Sequence, residues 1–285
     1  MSRLMALKPV TICLGTWNAS RFVEQTLRSI QAQTYPQLHI LIADDASGDA
    51  TLETCTAILG DDPRVHLIQR LENVGWCRNY SDMLERVETT YVCFAFHDDW
   101  LDPEYIAQLV AALEEQPSAV LAYSDLTFGV NQFVPLPGTY RQLDRVDHPT
   151  ARLRSLIRMQ GSWWIPFRGV ARTESAKRCI DSLRVDRDES FSSDWIWLIR
   201  MAMLGSFVRV PKNLVQKNWL RSGVTSMNKW EFGDDLKLRK RCLQELARQR
   251  PIGWRQLMFV TLVEIVLLPM RRCLRRLRWW WLRPN

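Results

Sequence analysis

The sequence has few histidines, and its cysteines lack the spacing of structural metal sites. It contains four histidines, and its seven cysteines are scattered without a C-x-x-C pair or a Cys/His cluster at the spacing of zinc ligands. The first predicted strand, Val10–Leu14, is followed by no G-x-G-x-x-G loop, which disfavours a dinucleotide-binding oxidoreductase. The odd, unpatterned set of cysteines is typical of a reducing compartment rather than of a disulfide-bonded secreted protein.

The N-terminal segment lacks the apolar stretch of a secretory signal. It reaches the strand-like run at Val10 after only Lys8 and Pro9. We therefore expect the body of the protein to stay in the cytoplasm.

Most of the chain has no net charge. The segment from Arg250 to Asn285 holds eight arginines, no lysine and one acid, Glu264, so it accounts for the whole formal charge of +7. The 30 basic and 30 acidic residues before it cancel. A neutral body argues against nucleic acid as a partner.

Short β-branched or aromatic runs alternate with segments of helical period through the first third of the chain. This alternation predicts an α/β fold with a mostly parallel central sheet flanked by helices. The predicted strands are Val10–Leu14, Leu38–Ala43, Val65–Ile68, Tyr91–Phe96 and Val120–Tyr123.

Beyond Asp125 the alternation stops in a Pro- and Gly-bearing stretch, Phe128 to Pro149, which predicts a long loop or lid. Helical signals then resume up to about residue 204, and further strand signals follow. We predict a single catalytic domain over residues 1–230 and a basic, apolar helical tail over residues 231–285.

Polar residues follow three of the predicted strands at the point where ligands bind in open α/β sheets. The adjacent carboxylates Asp98 and Asp99 repel one another unless a cation lies beside them, and hard oxygen ligands suit Mg²⁺ or Mn²⁺. Two ordinary roles stay open: Asp44 to Gly48 also fits a solvated turn, and His97 to Asp99 also fits a helix N-cap before Pro103. The three segments are Gly15-Thr16-Trp17-Asn18, Asp44-Asp45-Ala46-Ser47-Gly48-Asp49 and His97-Asp98-Asp99-Trp100.

Six short segments in this order resemble glycosyltransferase family 2 from about Val10 to Ser226. The resemblance implies a GT-A-like fold, a metal-assisted nucleotide-diphosphate-sugar donor and inversion at the anomeric carbon. The segments are Thr11 to Asn18, Gln33-Thr34-Tyr35-Pro36, Ile42 to Asp49, Asn73-Val74-Gly75 with Arg78-Asn79, His97-Asp98-Asp99, and Ser193-Asp194.

The resemblance also implies roles for the polar residues at the strand ends. Many family members have a further Asp two positions before Asp98, where this chain has Phe96. By residue correspondence Asp98 lies near the ribose and Asp99 is the metal ligand. Because the two carboxylates are adjacent, both belong to the predicted metal site. The other donor-site residues implied are Thr16 and Asp44 at the nucleobase, Asp45 beside them, and Arg78 near the phosphates.

Asp194 matches the catalytic base of the family. Ser193 precedes it and apolar residues from Trp195 to Leu198 follow it, so it lies at a junction where burial would raise its pKa, as suits a base. An ordinary N-cap is the alternative. Trp163 and Trp164 lie before it in the chain, and they suit either stacking on sugar rings or packing in the core.

The tail combines an apolar run with arginine and tryptophan. The run from Leu257 to Leu268 is too short to span a bilayer comfortably. Arginine beside Trp and Leu suits an anionic headgroup surface, so we predict peripheral attachment to the inner face of the cell membrane. Packing on the catalytic domain or on a partner subunit is the alternative. The arginines after the run are Arg271, Arg272, Arg275, Arg276, Arg278 and Arg283.

The sequence thus predicts an inverting, metal-assisted glycosyltransferase of surface-polysaccharide biosynthesis that acts on a glycan or lipid-linked acceptor. A nucleotidyltransferase or metal phosphohydrolase could also use Asp98 and Asp99. A second alternative is a non-catalytic glycan-binding or membrane-scaffold protein on a decayed transferase fold. The presence of Asp98, Asp99 and Asp194 together favours an active enzyme.

Overall fold

The computed structural model describes residues 7–130, 133–159, 162–185, 193–218 and 232–281. Its strands and helices alternate through the first half of the chain, as the sequence predicts. The strands are β1 (Val10–Thr16), β2 (Leu38–Asp44), β3 (Val65–Gln69), β4 (Tyr91–Phe96), β5 (Asp99–Leu101), β6 (Ala119–Val130), β7 (Phe133–Gly138), β8 (Val170–Arg172) and β9 (Ser206–Asn218).

The helices flank the sheet and bury one apolar face each. In the first helix Val23, Leu27 and Ile30 are buried at helical spacing, whereas Glu24 and Arg28 pair on the exposed side. The helices are α1 (Val23–Gln31), α2 (Thr51–Leu59), α3 (Trp76–Arg86), α4 (Tyr105–Glu115), α5 (Pro149–Ile157), α6 (Thr173–Arg178), α7 (Ser193–Leu204), α8 (Phe232–Gln249) and α9 (Trp254–Trp281).

In the described residues the strands form one sheet in the order β3-β2-β1-β4-β8-β6-β9-β5, with β7 paired to β6. The half made by β3, β2, β1 and β4 is parallel. Beyond β4 the pairing is mixed, because β8 runs antiparallel to β4 and β6 whereas β9 runs parallel to β6. The carboxyl ends of β1, β2 and β4 therefore meet at one edge, where the predicted site residues lie.

The long loop predicted over residues 128–149 is wrong for its first half, up to Gly138. The chain instead continues β6 to Val130 and returns as β7, which pairs antiparallel with β6. The prolines suggest a loop, but among the strands that the structure describes β7 pairs with β6 alone. An edge strand tolerates proline because one side of it needs no amide donor. Pro137 lies opposite Thr127 in this hairpin.

Aromatic side chains fill the space between β4, α3 and α7. The ring of Phe167 lies 5.3 Å from that of Phe94 and 5.2 Å from that of Trp197, measured between centroids. Trp163 is buried and packs edge-on against Trp195 at 6.5 Å. Of the two open roles for Trp163, the structure therefore supports the core.

Helix α8, within the predicted tail, packs on the body of the protein. Its residues Leu238, Cys242 and Leu246 are buried in the main core. A buried ion pair joins Glu245 of α8 to Arg200 of α7, with 2.9 Å between Oε2 and Nη2. The division after residue 230 stays a prediction, but this part of the tail is a layer of the fold.

We expect Glu245→Ala to lower the free energy of unfolding by about 3–5 kcal/mol, because it leaves the buried Arg200 guanidinium without its counter-ion. Urea titration measures the change. Glu24→Ala is the matched control, since the Glu24–Arg28 pair lies on the surface and its loss should cost less than about 1 kcal/mol. Equal losses in the two variants would contradict the docking of α8.

Helix α9 has two different faces. Leu257, Thr261 and Glu264 recur at helical spacing and are buried, whereas Phe259 and Val266 are 67% and 77% exposed. Among the described residues, no helix is both long enough and apolar enough to cross a membrane. The exposed residues Phe259 and Val266 precede the arginines of the same helix.

Candidate active site

Thr16 and Asp44 meet at the ends of β1 and β2. They are opposite one another in the parallel register, and the Thr16 hydroxyl donates to Oδ1 of Asp44 at 2.9 Å. The same carboxylate accepts from the Ser47 amide at 3.0 Å and from the Ser47 hydroxyl at 2.6 Å. The structure thus brings this predicted pair together and fixes it through the turn after β2.

Asp45 holds the segment that leads into α3. Its two carboxylate oxygens accept from the amides of Val74 and Gly75, both at 2.9 Å. Gly75 has a φ of 87°, a left-handed conformation that favours glycine. Both carboxylate oxygens of Asp45 accept hydrogen bonds from backbone amides. Asp45 would therefore affect binding of a ligand indirectly, by fixing the conformation of this segment.

Helix α3 fastens the ends of the first strands. The Asn79 side chain donates to the Ala43 carbonyl at 2.9 Å, and the Tyr80 hydroxyl donates to the Ala95 carbonyl and accepts from the Gly15 amide at 3.2 Å. Arg78 lies in the first turn of this helix but is exposed. The contacts of the described residues do not join Arg78 to the remaining site residues.

Asp98 lies between β4 and β5 and Asp99 begins β5, and both are beside two cationic side chains. Nζ of Lys217 is 2.9 Å from Oδ2 of Asp98 and 3.6 Å from Oδ1 of Asp99. Nε of Arg168 is 2.6 Å from Oδ2 of Asp99. Burial alone would raise the pKa of Asp98, but the charges of Lys217 and Arg168 outweigh burial and lower it. Asp98 is therefore held in the ionised form.

Arg168 is the residue that links the parts of the site. Its guanidinium lies between two rings, 4.4 Å from the centroid of Phe96 and 4.7 Å from that of Trp164. Burial opposes its charge, but the Asp99 and Asp98 carboxylates outweigh burial and raise the pKa of Arg168, and Asp194 contributes to the same rise. Sequence reasoning missed both Arg168 and Lys217, and the only signal was the need of two adjacent buried acids for cations.

Asp194 lies in the first turn of α7 at the edge of the aromatic core. Its Oδ1 accepts from the Trp195 amide at 3.0 Å, and its side chain stays partly accessible. Burial raises the pKa of Asp194 to about 6, although the Trp195 amide and Arg168 act in the opposite direction. A carboxylate with this pKa is ionised at neutral pH and is more basic than an ordinary aspartate, as general base catalysis requires.

Asp98 and Asp99 offer the donor chemistry of a hard divalent cation. Oδ1 of Asp99 is buried and accepts no hydrogen bond, so one oxygen of the pair is available. In the described ranges no group of three or more His, Cys, Asp or Glu side chains could hold a metal ion. Mg²⁺ is commonly held by one or two carboxylates, with substrate phosphates and water as its other ligands. The residues present fit a metal that arrives with a diphosphate.

The sequence of this chain is similar to those of sugar-transferring enzymes. A sequence model described as "Glycosyl transferase family 2" matches residues 11–169. An uncharacterised glycosyltransferase of Haemophilus influenzae is 24% identical over 230 residues, which are 79% of this chain and 88% of that protein. The putative teichuronic acid biosynthesis glycosyltransferase TuaG of Bacillus subtilis is 30% identical over 106 residues, 37% of this chain and 42% of TuaG. The chain thus spans less than half of TuaG.

Solved structures with the same fold confirm the predicted GT-A-like class. Residues 1–349 of TarS from S. aureus in complex with UDP-GlcNAc superpose with a TM-score of 0.70 at 15% identity, covering 90% of this chain and 72% of that one. A mannosyltransferase of Pyrobaculum calidifontis in complex with GDP-Man and Mn²⁺ gives a TM-score of 0.56 at 15% identity, covering 90% and 69%. At these identities the likeness establishes the fold.

Proposed function

The chain belongs to glycosyl transferase family 2, and from this premise we propose that it transfers a sugar from a nucleotide-diphosphate donor to a hydroxyl of a glycan or lipid-linked acceptor. We propose further that transfer inverts the anomeric carbon, needs Mg²⁺ or Mn²⁺, and serves the assembly of a surface polysaccharide. The family match and the relatedness to TuaG support the class of reaction and its setting.

The observation that carries this proposal is that one segment contacts both parts of the site. Nε of Arg168 lies 2.6 Å from Asp99, and the adjacent Phe167 packs on Trp197 of α7, the helix that carries Asp194. The Asp98–Asp99 pair would hold the metal that binds the donor diphosphate, and Asp194 would act as a single, separate base. One displacement needs no second nucleophile: the acceptor oxygen bonds to the anomeric carbon as the bond to the diphosphate oxygen breaks. A single displacement inverts the configuration.

Asp194 takes the proton of the acceptor hydroxyl as that oxygen attacks. Because its pKa is about 6, it is mostly ionised at neutral pH and can accept the proton. A divalent cation held by Asp98 and Asp99 would supply Lewis-acid stabilisation of the diphosphate leaving group. We propose that Thr16 and Asp44, which are hydrogen-bonded to one another at the ends of β1 and β2, contact the nucleobase. In this proposal Asp45 lies beside them and Arg78 lies near the phosphates.

The proposed location is the inner face of the cell membrane, where anionic lipids give the surface a negative potential. Two features support it: the exposed apolar face of α9 and the arginines that follow in the same helix. An acceptor carried on a lipid would then lie close to the enzyme.

Hydrolysis and transfer assays with UDP-, GDP- and dTDP-sugars, each with Mg²⁺ or Mn²⁺, test the proposal directly. We expect turnover with one nucleotide class, and an inverted product by NMR of the anomeric proton. A folded protein that binds glycans yet turns over none of these donors would favour the non-catalytic alternative. A retained configuration would exclude the single displacement.

We expect Asp99→Asn to weaken metal-dependent donor binding by at least roughly 10- to 100-fold, the loss that even outer-shell changes cause at metal sites. Calorimetry of the donor with Mn²⁺ and with chelator measures it. Asp102→Asn is the matched control, since Asp102 lies three residues away and caps the turn before α4 by accepting from the Glu104 amide. Donor affinity that is equal with metal and with chelator would remove the metal from the proposal.

A further inference from the structure

The Asp98–Asp99 pair already has two cations of its own. Arg168 is 2.6 Å from Asp99, and Lys217 is 2.9 Å from Asp98. The cations come from different elements, since Arg168 ends the 3₁₀ helix Ile165–Arg168 and Lys217 belongs to β9. The two negative charges are therefore balanced by protein groups alone.

The protein holds Arg168 at this position through its backbone. The Arg168 carbonyl accepts from the Tyr105 hydroxyl and lies 3.6 Å from Sγ of Cys93. The next residue, Gly169, passes so close to the Ala122 carbonyl oxygen that an added Cβ would lie 2.1 Å from it. The backbone is thus anchored to α4, β4 and β6, and the Phe96 and Trp164 rings enclose the guanidinium.

Charge balance changes when a divalent cation binds the two carboxylates. The pair then carries an excess of positive charge with Arg168 and Lys217 beside it, and like charges at this spacing repel strongly in a buried site. A diphosphate brings negative charge to the same place. Its oxygens suit the planar guanidinium of Arg168 and the ammonium group of Lys217.

We propose that Arg168 and Lys217 are exchangeable counter-ions: they neutralise Asp98 and Asp99 in the free enzyme and transfer to the donor diphosphate when the metal takes over the carboxylates. This inference rests on the proposed function and adds its order of binding. Metal alone brings positive charge beside Arg168, which weakens the pairing of Arg168 with Asp99, and it offers the guanidinium no new partner. Metal with a nucleoside diphosphate provides that partner, so each ligand raises the affinity of the other by the same factor.

The test uses the full chain and two apolar variants, Arg168→Met and Lys217→Met. Mn²⁺ is titrated alone, and UDP, GDP and dTDP are then titrated at saturating Mn²⁺. In Arg168→Met we expect the affinity for Mn²⁺ alone to rise and the nucleotide affinity to fall, each by roughly tenfold or more, since losing one member of a buried charge pair has effects of this size. Lys217→Met should shift both affinities in the same directions as Arg168→Met. Because Lys217 is the more exposed of the two cations, its variant serves as the test if Arg168→Met does not fold.

Arg209→Met is the matched control. Arg209 pairs with Asp125 at 2.7 Å in a similarly buried position of β6 and β9, and it contacts neither Asp98 nor Asp99. Its variant should leave both affinities unchanged, whatever it does to stability.

Opposite shifts of the two affinities identify exchange, because a merely structural brace would weaken both ligands together. Equal Mn²⁺ affinity in wild type and Arg168→Met, including no binding in either, would overturn the inference. A fall in Mn²⁺ affinity in that variant would do so too. Failure of the proposed function looks different: wild-type protein would then bind none of UDP, GDP and dTDP with Mn²⁺ present.

Discussion

Asp194→Asn is expected to lower kcat by roughly 10²- to 10⁴-fold while the affinity for the nucleotide sugar stays nearly unchanged. The loss has the size that general base catalysis contributes, because the amide keeps the shape of the side chain but cannot take a proton. Donor affinity is spared because the donor phosphates are proposed to meet Asp98, Asp99 and their cations rather than Asp194. Single-turnover transfer and donor calorimetry measure the two effects separately.

The pH dependence of the wild-type enzyme gives an independent reading of the same base. Burial raises the pKa of Asp194 to about 6. Asp194 acts only when ionised, so transfer should be slow below pH 6, rise as pH increases through about 6, and level off above it. The residual activity of Asp194→Asn should lack this rise.

Asp181→Asn is the control for both measurements, since Asp181 is an exposed residue of the neighbouring 3₁₀ helix Ile180–Ser182. It should keep the wild-type rate and pH profile. Near wild-type turnover in Asp194→Asn would exclude Asp194 as the base.

The sequence was sufficient to predict which polar residues meet at the ends of β1, β2 and β4, because this meeting follows from strand order. Strands of a parallel sheet end at one edge, so polar residues after β1, β2 and β4 had to converge. The register of Thr16 against Asp44 confirms this convergence. Six ordered segments then indicated the family, which no single segment could have done.

The cations of the site could not be predicted, because their pairing depends on contacts between distant parts of the chain. Arg168 lies 69 residues from Asp99, and Lys217 lies 119 residues from Asp98. With 38 lysines and arginines in the chain, nothing local distinguishes these two. The anchoring role of Asp45 was hidden for the same reason, since it depends on where the Val74 and Gly75 amides point.

The tail divides into a docked and an exposed part. Arg239 of α8 lies 5.3 Å from the ring of Trp195, and Thr150 of α5 donates to the Ile252 carbonyl at 2.9 Å. These contacts tie α8 and the start of α9 to the helices beside Asp194. Deleting everything after Arg250 would therefore uncover core residues such as Leu246, so a test of membrane binding is better made with substitutions in the full chain.

Substituting five arginines of α9 with glutamine is expected to weaken binding to anionic vesicles by on the order of 10³-fold, because each arginine near such a surface contributes roughly 1 kcal/mol. Vesicle flotation over a range of phosphatidylserine content measures the change. Thermal melts of the variant and of the wild-type protein check separately that the fold is kept. The five residues are Arg271, Arg272, Arg275, Arg276 and Arg278.

A control variant with the same change in net charge shows whether vesicle binding depends on the arginines of α9 or on the net charge of the whole protein. Five exposed arginines of the body are replaced by glutamine, and vesicle binding should then fall far less than in the α9 variant. The control residues are Arg21, Arg28, Arg86, Arg141 and Arg178.

Salt distinguishes the two contributions of α9. High salt screens the arginines, but it leaves the attraction of the exposed face that carries Phe259 and Val266, so wild-type protein should be released only partly by salt and fully by detergent. Phe259→Ser combined with Val266→Ser should make the release by salt complete. If wild-type protein ignores anionic vesicles at low salt, or if both sets of arginine substitutions weaken binding equally, α9 is not the membrane anchor and its exposed face meets a protein partner instead.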